Sequence, residues 1–509
     1  MVTSKLKDFI EKNSEMLNDK AAAELQHKKG KLTARERLKY LLDEGSFVEL
    51  DAFAQLRSKE LEAKKRAGDG VITGYGAINK RPVYVYAQDF SFMGGSMGEM
   101  HNKKISNVME LSLKTGCPCI GLLDSGGARI QEGTLALDSG GRIFQLNTLS
   151  SGIIPQISAI MGPCAGIAAY SPALTDFVLM VKKNSYMFVT GPDVIKTVTG
   201  ESIEFEELGG AAAHNEKSGV AHFAADNEKE CLDMIKVILS YIPQNNLENP
   251  PYELHDSAER ETKKLEAIIP EDPKKTYDMK EAIVEIFDKK SFFEVHSGFA
   301  GNIVTGFARL CGNCVGVVAN QPKVLAGCLD INSSNKISRF VRFCDCFNIP
   351  LINLVDVTGY LPGSEQEHNG IIRHGAKILY SYSEATVPKI SLVLRKAYGG
   401  AYIAMVSKDM GFDKVLAWPC AEIAVMGAEQ AVGIVNKDKL SGKDSDKVKA
   451  ELVKDYTEKY LNPYAAAKLG KVDMIIEPKN TRTALIKCLE MLLSKREKRP
   501  VKKHGNMPL

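Results

Sequence analysis

The 509-residue chain has no apolar run long enough to cross a membrane. Its N-terminal stretch MVTSKLKDFIEKNSEM reads as a polar helix without the apolar centre of a signal peptide, so a cytoplasmic location is expected. Charge of one sign is also missing. The 66 Lys and Arg against 63 Asp and Glu leave a net +3, and the basic residues are dispersed except in the terminal SKREKRPVKKHG, which reads as a solvated terminus. No nucleic-acid partner is expected. Zinc-ribbon spacing is absent too: Cys117/Cys119 and Cys344/Cys346 lie one residue apart, and Cys311/Cys314 is a single CxxC with no second pair. The eleven cysteines therefore read as buried reduced thiols, and no metal is expected. There is no GxxxxGK[ST] phosphate loop and no GxGxxG followed by the acidic residue of a dinucleotide fold. GxSxG, HExxH and kinase-type sets are lacking as well.

What the chain does contain is a repeat. VITGYGAI (71–78) returns as IVTGFARL (303–310), and KISNVMELSLKTGCPCIGLLDSGG (104–127) returns as KISRFVRFCDCFNIPLINLVDVTG (336–359), both at an offset of 232. ISAIMGPCAGIAAY from Ile157 answers ISLVLRKAYGGAYI from Ile390 at an offset of 233, and SFVEL at Ser46 answers SFFEV at Ser291. Four ordered matches at nearly one offset predict two homologous domains, over 1–258 and 262–500, joined through the Pro-rich, charged NPPYELHDSAERETKKLEAIIPEDPKK. With 44% hydrophobic residues, a chain of this length can bury a core in each.

Within each half, short β-branched runs alternate with amphipathic stretches, the pattern of layered α/β structure. PCIGLLDSGG and PLINLVDVTG read as strands ending in glycine turns. QISAIMGPCAGIAAY and ISLVLRKAYGGAYI read as strands that turn on glycine into a helix. TARERLKYLLDEG opens a helix with a Thr33/Glu36 capping box, and Gly45 lies beyond its end. Helix starts expose amide hydrogens that have no partner inside the helix. Two such turns per half, at matching places, suit an oxygen that gains negative charge. Side-chain catalysts are less evident. His214, His222, His368 and His374 near glycine-rich loops read as structural hydrogen-bonders, and Glu365, Glu367 and Glu132 read as solvated loop charges rather than acid–base groups.

The stretches DSGGARIQEG, GPCAGIAAYSPALTDF, NQPKVLAGCLDINSS, RFCDCFNIPLINLVDVTGYLPGSEQEHNGIIRHGAK, RKAYGGAYIAM and AWPCAEIAVMG resemble the biotin-dependent acyl-CoA carboxyltransferases, of the propionyl-CoA carboxylase β and methylmalonyl-CoA decarboxylase α type. The resemblance runs from about Thr33 to the terminal KKHGNMPL. It implies two tandem crotonase-like domains and transfer of a carboxyl group between carrier-bound biotin and the α-carbon of a short acyl-CoA, with propionyl-CoA and methylmalonyl-CoA foremost. By that resemblance, the catalytic donors are the backbone at Gly166 and Ile167 for the thioester oxygen, and at Gly400 and Ala401 for the biotin oxygen. Gly126, Gly127, Ala128 and Arg129 are implied as the acyl-CoA-binding turn; Gly359, Tyr360, Gly399 and Ile403 are implied to border the biotin and acyl pocket.

The chain departs from the family pattern at two positions. Ile167 stands where the family commonly has glycine, so either its side chain points away from the oxygen or the first oxyanion site changes shape. Ile403 stands where members with propionyl preference commonly carry an acid. No Met-Lys-Met biotinylation signature and nothing like an ATP-grasp domain is present. Biotin is therefore expected on a separate biotin carboxyl carrier protein. The implied partners are a biotin carboxylase or membrane decarboxylase subunits, which would confer any membrane association. The implied assembly is a homo-hexamer of two stacked trimers, with sites shared between neighbouring chains. A crotonase-type hydratase or isomerase and a non-catalytic docking scaffold are the competing readings. Acetyl-CoA carboxylation is an alternative use of the same chemistry.

Overall fold

The computed structural model describes residues 2–17, 20–254, 256–272, 275–440 and 445–508. The chain divides into two compact units, 1–240 with 244–248 and 241–243 with 249–509. From Asn249, the first residue of the Pro-rich stretch, the chain stays in the second unit.

The first unit contains strands β1 (Val48–Leu50), β2 (Val71–Ile78), β3 (Arg81–Gln88), β4 (Cys119–Ser125), β5 (Gln156–Ala165), β6 (Phe177–Val181), β7 (Tyr186–Phe188) and β8 (Phe223–Ala225). The second contains β9 (Phe293–Val295), β10 (Ile303–Leu310), β11 (Asn313–Asn320), β12 (Leu351–Val357), β13 (Lys389–Tyr398), β14 (Lys414–Ala417), β15 (Glu422–Ala424) and β16 (Met474–Ile475). The first sheet runs β1-β2-β3-β4-β5-β6-β8 with β7 on β5, and the second runs β9-β10-β11-β12-β13-β14-β16 with β15 on β13. The internal repeat of the sequence is thus a repeat of topology. β1 to β3 and β9 to β11 pair antiparallel, and the remaining pairs in both sheets are parallel. β4 and β12 are buried along their whole length, as parallel strands covered on both faces must be.

The polar interior repeats as well. Lys104 Nζ donates to the carbonyls of Gly68 (3.0 Å) and Val71 (2.6 Å), while Lys336 Nζ donates to those of Phe299 and Ile303 (both 2.7 Å). Burial lowers the two ammonium groups to about 8 and about 7. Each lysine therefore pins the loop that leads into the second strand of its own sheet. Ahead of the first sheet, Thr33 and Glu36 form the expected capping box on the helix Ala34–Leu41. No disulfide joins the cysteines among the described residues, and no helix there is long and apolar enough to cross a membrane.

Candidate active site

The two glycine turns of the first unit are held by their own backbone. After β4, Gly126 N–H donates to Gly94 O (2.9 Å) and Gly127 N–H to Ser125 Oγ (3.2 Å). Gly127 O accepts from Met97 N–H (2.8 Å), and Arg129 N–H donates to Met97 O (2.9 Å). Gly127 has φ +98°, and an added Cβ would lie 2.8 Å from Ala165 O, so this turn requires glycine. Among the described residues, Ala128 N–H is the amide of this turn that meets no acceptor. After β5, Gly166 adopts φ 56°, ψ −119° and spends its own N–H on Phe188 O (3.1 Å). The next amide, of Ile167, opens the helix Ile167–Ala173 and has no acceptor within it. Gly166 is therefore the hinge of this turn, and Ile167 carries the available donor. The Ile167 side chain packs toward the helix Thr134–Ser150: a Cβ added at Gly140 would lie 3.1 Å from Ile167 Cδ1.

The second unit repeats the arrangement. Gly359 O accepts from Leu329 N–H (3.0 Å), and Leu361 N–H donates to Leu329 O (2.8 Å), leaving Tyr360 N–H without an acceptor among the described residues. Tyr360 lies 232 residues after Ala128. After β13, Gly399 (φ +58°) occupies the place of Gly166, and Gly400 that of Ile167, at the start of the helix Gly399–Val406. Gly400 is exposed, whereas Ala401 is buried, so Gly400 presents the accessible amide of the two expected there. The Tyr360 ring lies close to Gly400. A Cβ on Gly400 would be 3.6 Å from the ring, one on Gly375 would be 2.8 Å away, and Tyr360 Oη donates to Gly375 O (3.3 Å). Burial pushes the Tyr360 hydroxyl up to about 12, so it stays a neutral donor. Ile403 lies one turn further along the same helix and is 47% exposed.

Arg129, expected in acyl-CoA binding, is turned inward. Its guanidinium binds Asp69 Oδ1 (2.7 Å), Glu132 Oε1 (2.8 Å) and Ser96 O (2.8 Å), with its side chain wholly buried. It braces the turn from behind. Glu132 is a buried partner in this cluster and accepts from Glu99 N–H (2.6 Å), so it is not the solvated loop charge expected. Glu365 and Glu367 are exposed. His214 bonds Met187 O (2.7 Å) and Ser218 Oγ (2.8 Å), and His222 Nδ1 accepts from Val178 N–H (3.1 Å), both in structural roles. His368 is exposed, and His374 bonds Asn335 Oδ1 (3.0 Å). Burial, with the charges of Lys377 and Arg373, holds the His374 imidazole below its ordinary pKa. Each unit thus repeats the same pattern: a strand-end turn and a helix start, each with a backbone N–H that meets no acceptor among the described residues.

A family model described as "Carboxyl transferase domain" matches residues 25–507. The chain is 57% identical over 488 residues to the propionyl-CoA carboxylase carboxyltransferase subunit of Haloferax mediterranei, covering 95% of each. It is 55% identical over 513 residues to methylmalonyl-CoA decarboxylase subunit alpha of Veillonella parvula, covering 98% of this chain and 99% of the relative. Among solved structures, the transcarboxylase 12S hexamer with methylmalonyl-CoA and methylmalonic acid bound superposes with a TM-score of 0.97 at 48% identity, covering 100% of this chain and 99% of that one.

Proposed function

The chain belongs to the carboxyl transferase family, with two crotonase-like domains, and from that premise we propose that it moves a carboxyl group between carrier-bound biotin and the α-carbon of a short acyl-CoA. Propionyl-CoA and methylmalonyl-CoA are the proposed pair, because the relatives at 57% and 55% identity are named for those substrates. The observation that carries the reading is the duplicated pair of amides, Ala128 with Ile167 and Tyr360 with Gly400. The reaction places negative charge on two oxygens, the thioester oxygen of the acyl-CoA and the ureido oxygen of biotin. Preorganised N–H donors stabilise such charge without reorganising. The first pair holds the thioester oxygen and the second the ureido oxygen. When bound, biotin would supply the ring nitrogen that carries the carboxyl group and that, once the carboxyl group has left it, could accept the α-proton. The second site suits a planar ureido ring: two amides near a tyrosine ring whose hydroxyl is held in its neutral form. Biotin is borne by a separate carrier protein, and the working assembly is a cytoplasmic hexamer like the 12S structure, joined by a biotin carboxylase or membrane decarboxylase subunits.

Mixing the purified chain with methylmalonyl-CoA and free biotin tests the reading. Propionyl-CoA should form at a rate that rises with biotin. Hydration of an enoyl-CoA without biotin, in place of that reaction, would assign the chain to the hydratases instead.

This mechanism gives the histidines no proton to move. Alanine at His368 or His374 is expected to change kcat by less than about tenfold, below the roughly 100-fold contribution of a positioned acid or base. A larger loss at unchanged KM in the biotin-dependent assay would restore a side-chain catalyst. Ile403, exposed one turn past Gly400, borders the acyl space in this reading. Ile403→Asp is expected to shift the ratio of kcat/KM among acetyl-, propionyl- and butyryl-CoA by several-fold to tens-fold, the scale at which pockets discriminate a methylene. Parallel changes for all three would remove Ile403 from the acyl pocket.

A further inference from the structure

Each unit buries one aspartate at the same place in a wholly buried strand, Asp124 as the sixth residue of β4 and Asp356 as the sixth of β12. Both sit where the sheet loses register. Leu123 pairs with Ile160 but Ser125 with Cys164, so Met161, Gly162 and Pro163 face Asp124 alone. Val355 pairs with Val393 but Val357 with Ala397, so Leu394, Arg395 and Lys396 face Asp356 alone. Both aspartate amides donate to equivalent side chains, Asp124 to Gln88 Oε1 (3.0 Å) and Asp356 to Asn320 Oδ1 (3.2 Å).

The Asp124 carboxylate fills its bulge, and the Asp356 carboxylate is hydrogen-bonded into its own. A Cβ added at Gly162 would fall 1.9 Å from Asp124 Oδ1, so the carboxylate occupies the space a side chain on β5 would take. Oδ1 is buried without a hydrogen-bond partner among the described residues, which marks its contact with β5 as steric. Oδ2 is anchored by Lys31 Nζ (2.5 Å) and Arg37 Nη1 (3.1 Å), and Arg37 is itself bound to Glu228 (2.8 Å). In the second unit, Asp356 Oδ2 accepts from Arg395 Nε (3.0 Å) and Oδ1 from Lys396 N–H (3.2 Å), both donors belonging to the bulge itself. From each wedge the two strands run on to the paired amides: β4 from Asp124 to Ala128, β5 from Gly162 to Ile167, β12 from Asp356 to Tyr360, and β13 from Arg395 to Gly400. Bulges beside active sites commonly re-aim the groups that follow them.

We propose that Asp124 and Asp356 are positioning residues: each wedges open the bulge that sets the separation of the two amides in its own oxyanion site. The proposal rests on the carboxyltransferase reading above. Asp124 serves the thioester site and Asp356 the ureido site.

The test is made in a Lys31→Met background, where loss of the Asp124 charge leaves the Arg37–Glu228 pair neutral. Asp124→Asn keeps the shape of the wedge, and Asp124→Ala removes it. The probes are biotin-dependent decarboxylation of methylmalonyl-CoA and the affinity of a CoA analogue bearing a nitronate where the thioester enolate forms, compared with that of propionyl-CoA. The Asn form should stay within about threefold of the parent in kcat and in the affinity ratio. The Ala form should lose about tenfold or more in both while KM for methylmalonyl-CoA holds within about threefold, since small misplacements of catalytic groups cost up to about 100-fold. Equal values for the two forms, or a loss in KM alone, would overturn the positioning role. Should the Ala form fail to assemble by circular dichroism and gel filtration, the same comparison is made with Asp356→Asn and Asp356→Ala in an Arg395→Met background, read as kcat against KM for biotin. A parent chain inactive with methylmalonyl-CoA and biotin defeats the carboxyltransferase reading, whereas an active parent with equal Asn and Ala forms defeats the wedge alone.

Discussion

Gly400→Val is expected to lower kcat by about 100-fold or more while the protein remains folded, the loss typical of one oxyanion donor. A Cβ at this position would meet the Tyr360 ring at 3.6 Å, an ordinary contact, so alanine fits. The two further carbons of valine must go either into the ring or into the exposed space in front of the amide, where the ureido oxygen is to lie. Either course separates the oxygen from the Tyr360 and Gly400 amides. Fold stability should be little affected, because Gly400 is exposed at a helix start. The check is kcat with free biotin beside the melting temperature. Normal turnover would remove Gly400 from the site.

Gly166→Ala should be as damaging for a different reason. The nearest neighbour of an added Cβ is Val189 O at 3.8 Å, so space is not the obstacle. The obstacle is the backbone at φ 56°, ψ −119°, which an L-residue adopts only at a cost of about 1–3 kcal/mol. Rotation about ψ of residue 166 relieves that strain, and it is also the rotation that aims the Ile167 N–H. We expect kcat for decarboxylation of methylmalonyl-CoA to fall by about 100-fold or more. Thermal stability should fall by no more than the strain energy. Full activity with only a lowered melting temperature would show that the turn is structural.

Much of this was legible in the sequence because the repeat is covalent information. A strand ending in DSGG or DVTG, and another ending in AGI or YGG, predict strand-to-turn and turn-to-helix junctions wherever they occur. The matched offsets place both junctions in both units. What the sequence could not divide was labour among adjacent backbone groups. Gly166 reads as a donor, but its N–H is spent on Phe188 O, and the amide left without an acceptor in the helix is that of Ile167. Ala128 and Tyr360 read as a binding-turn residue and a pocket aromatic, yet their amides are equivalents, a relation the offset of 232 already contained. Arg129 is expected to bind acyl-CoA and Glu132 to be a solvated loop charge, because DSGGARIQEG is polar. They are buried against Asp69, which lies far away in the chain and which no local pattern ties to them. The wedge aspartates had a signal that went unused: a carboxylate closing each of two apolar runs, CIGLLD and LINLVD, at the repeat offset. A buried charge in a parallel strand requires partners, and Lys31, Arg37 and Arg395 were identifiable as those partners only once the chain was folded.

The central claim is that the two units hold two different oxyanions, one each. The most direct test is the affinity of the nitronate CoA analogue, relative to propionyl-CoA, for the parent chain, Gly166→Ala and Gly400→Val. The account predicts that Gly166→Ala loses about 100-fold of that preference while Gly400→Val keeps it, although both variants turn over slowly. Equal weakening in the two variants, or loss confined to Gly400→Val, would contradict it.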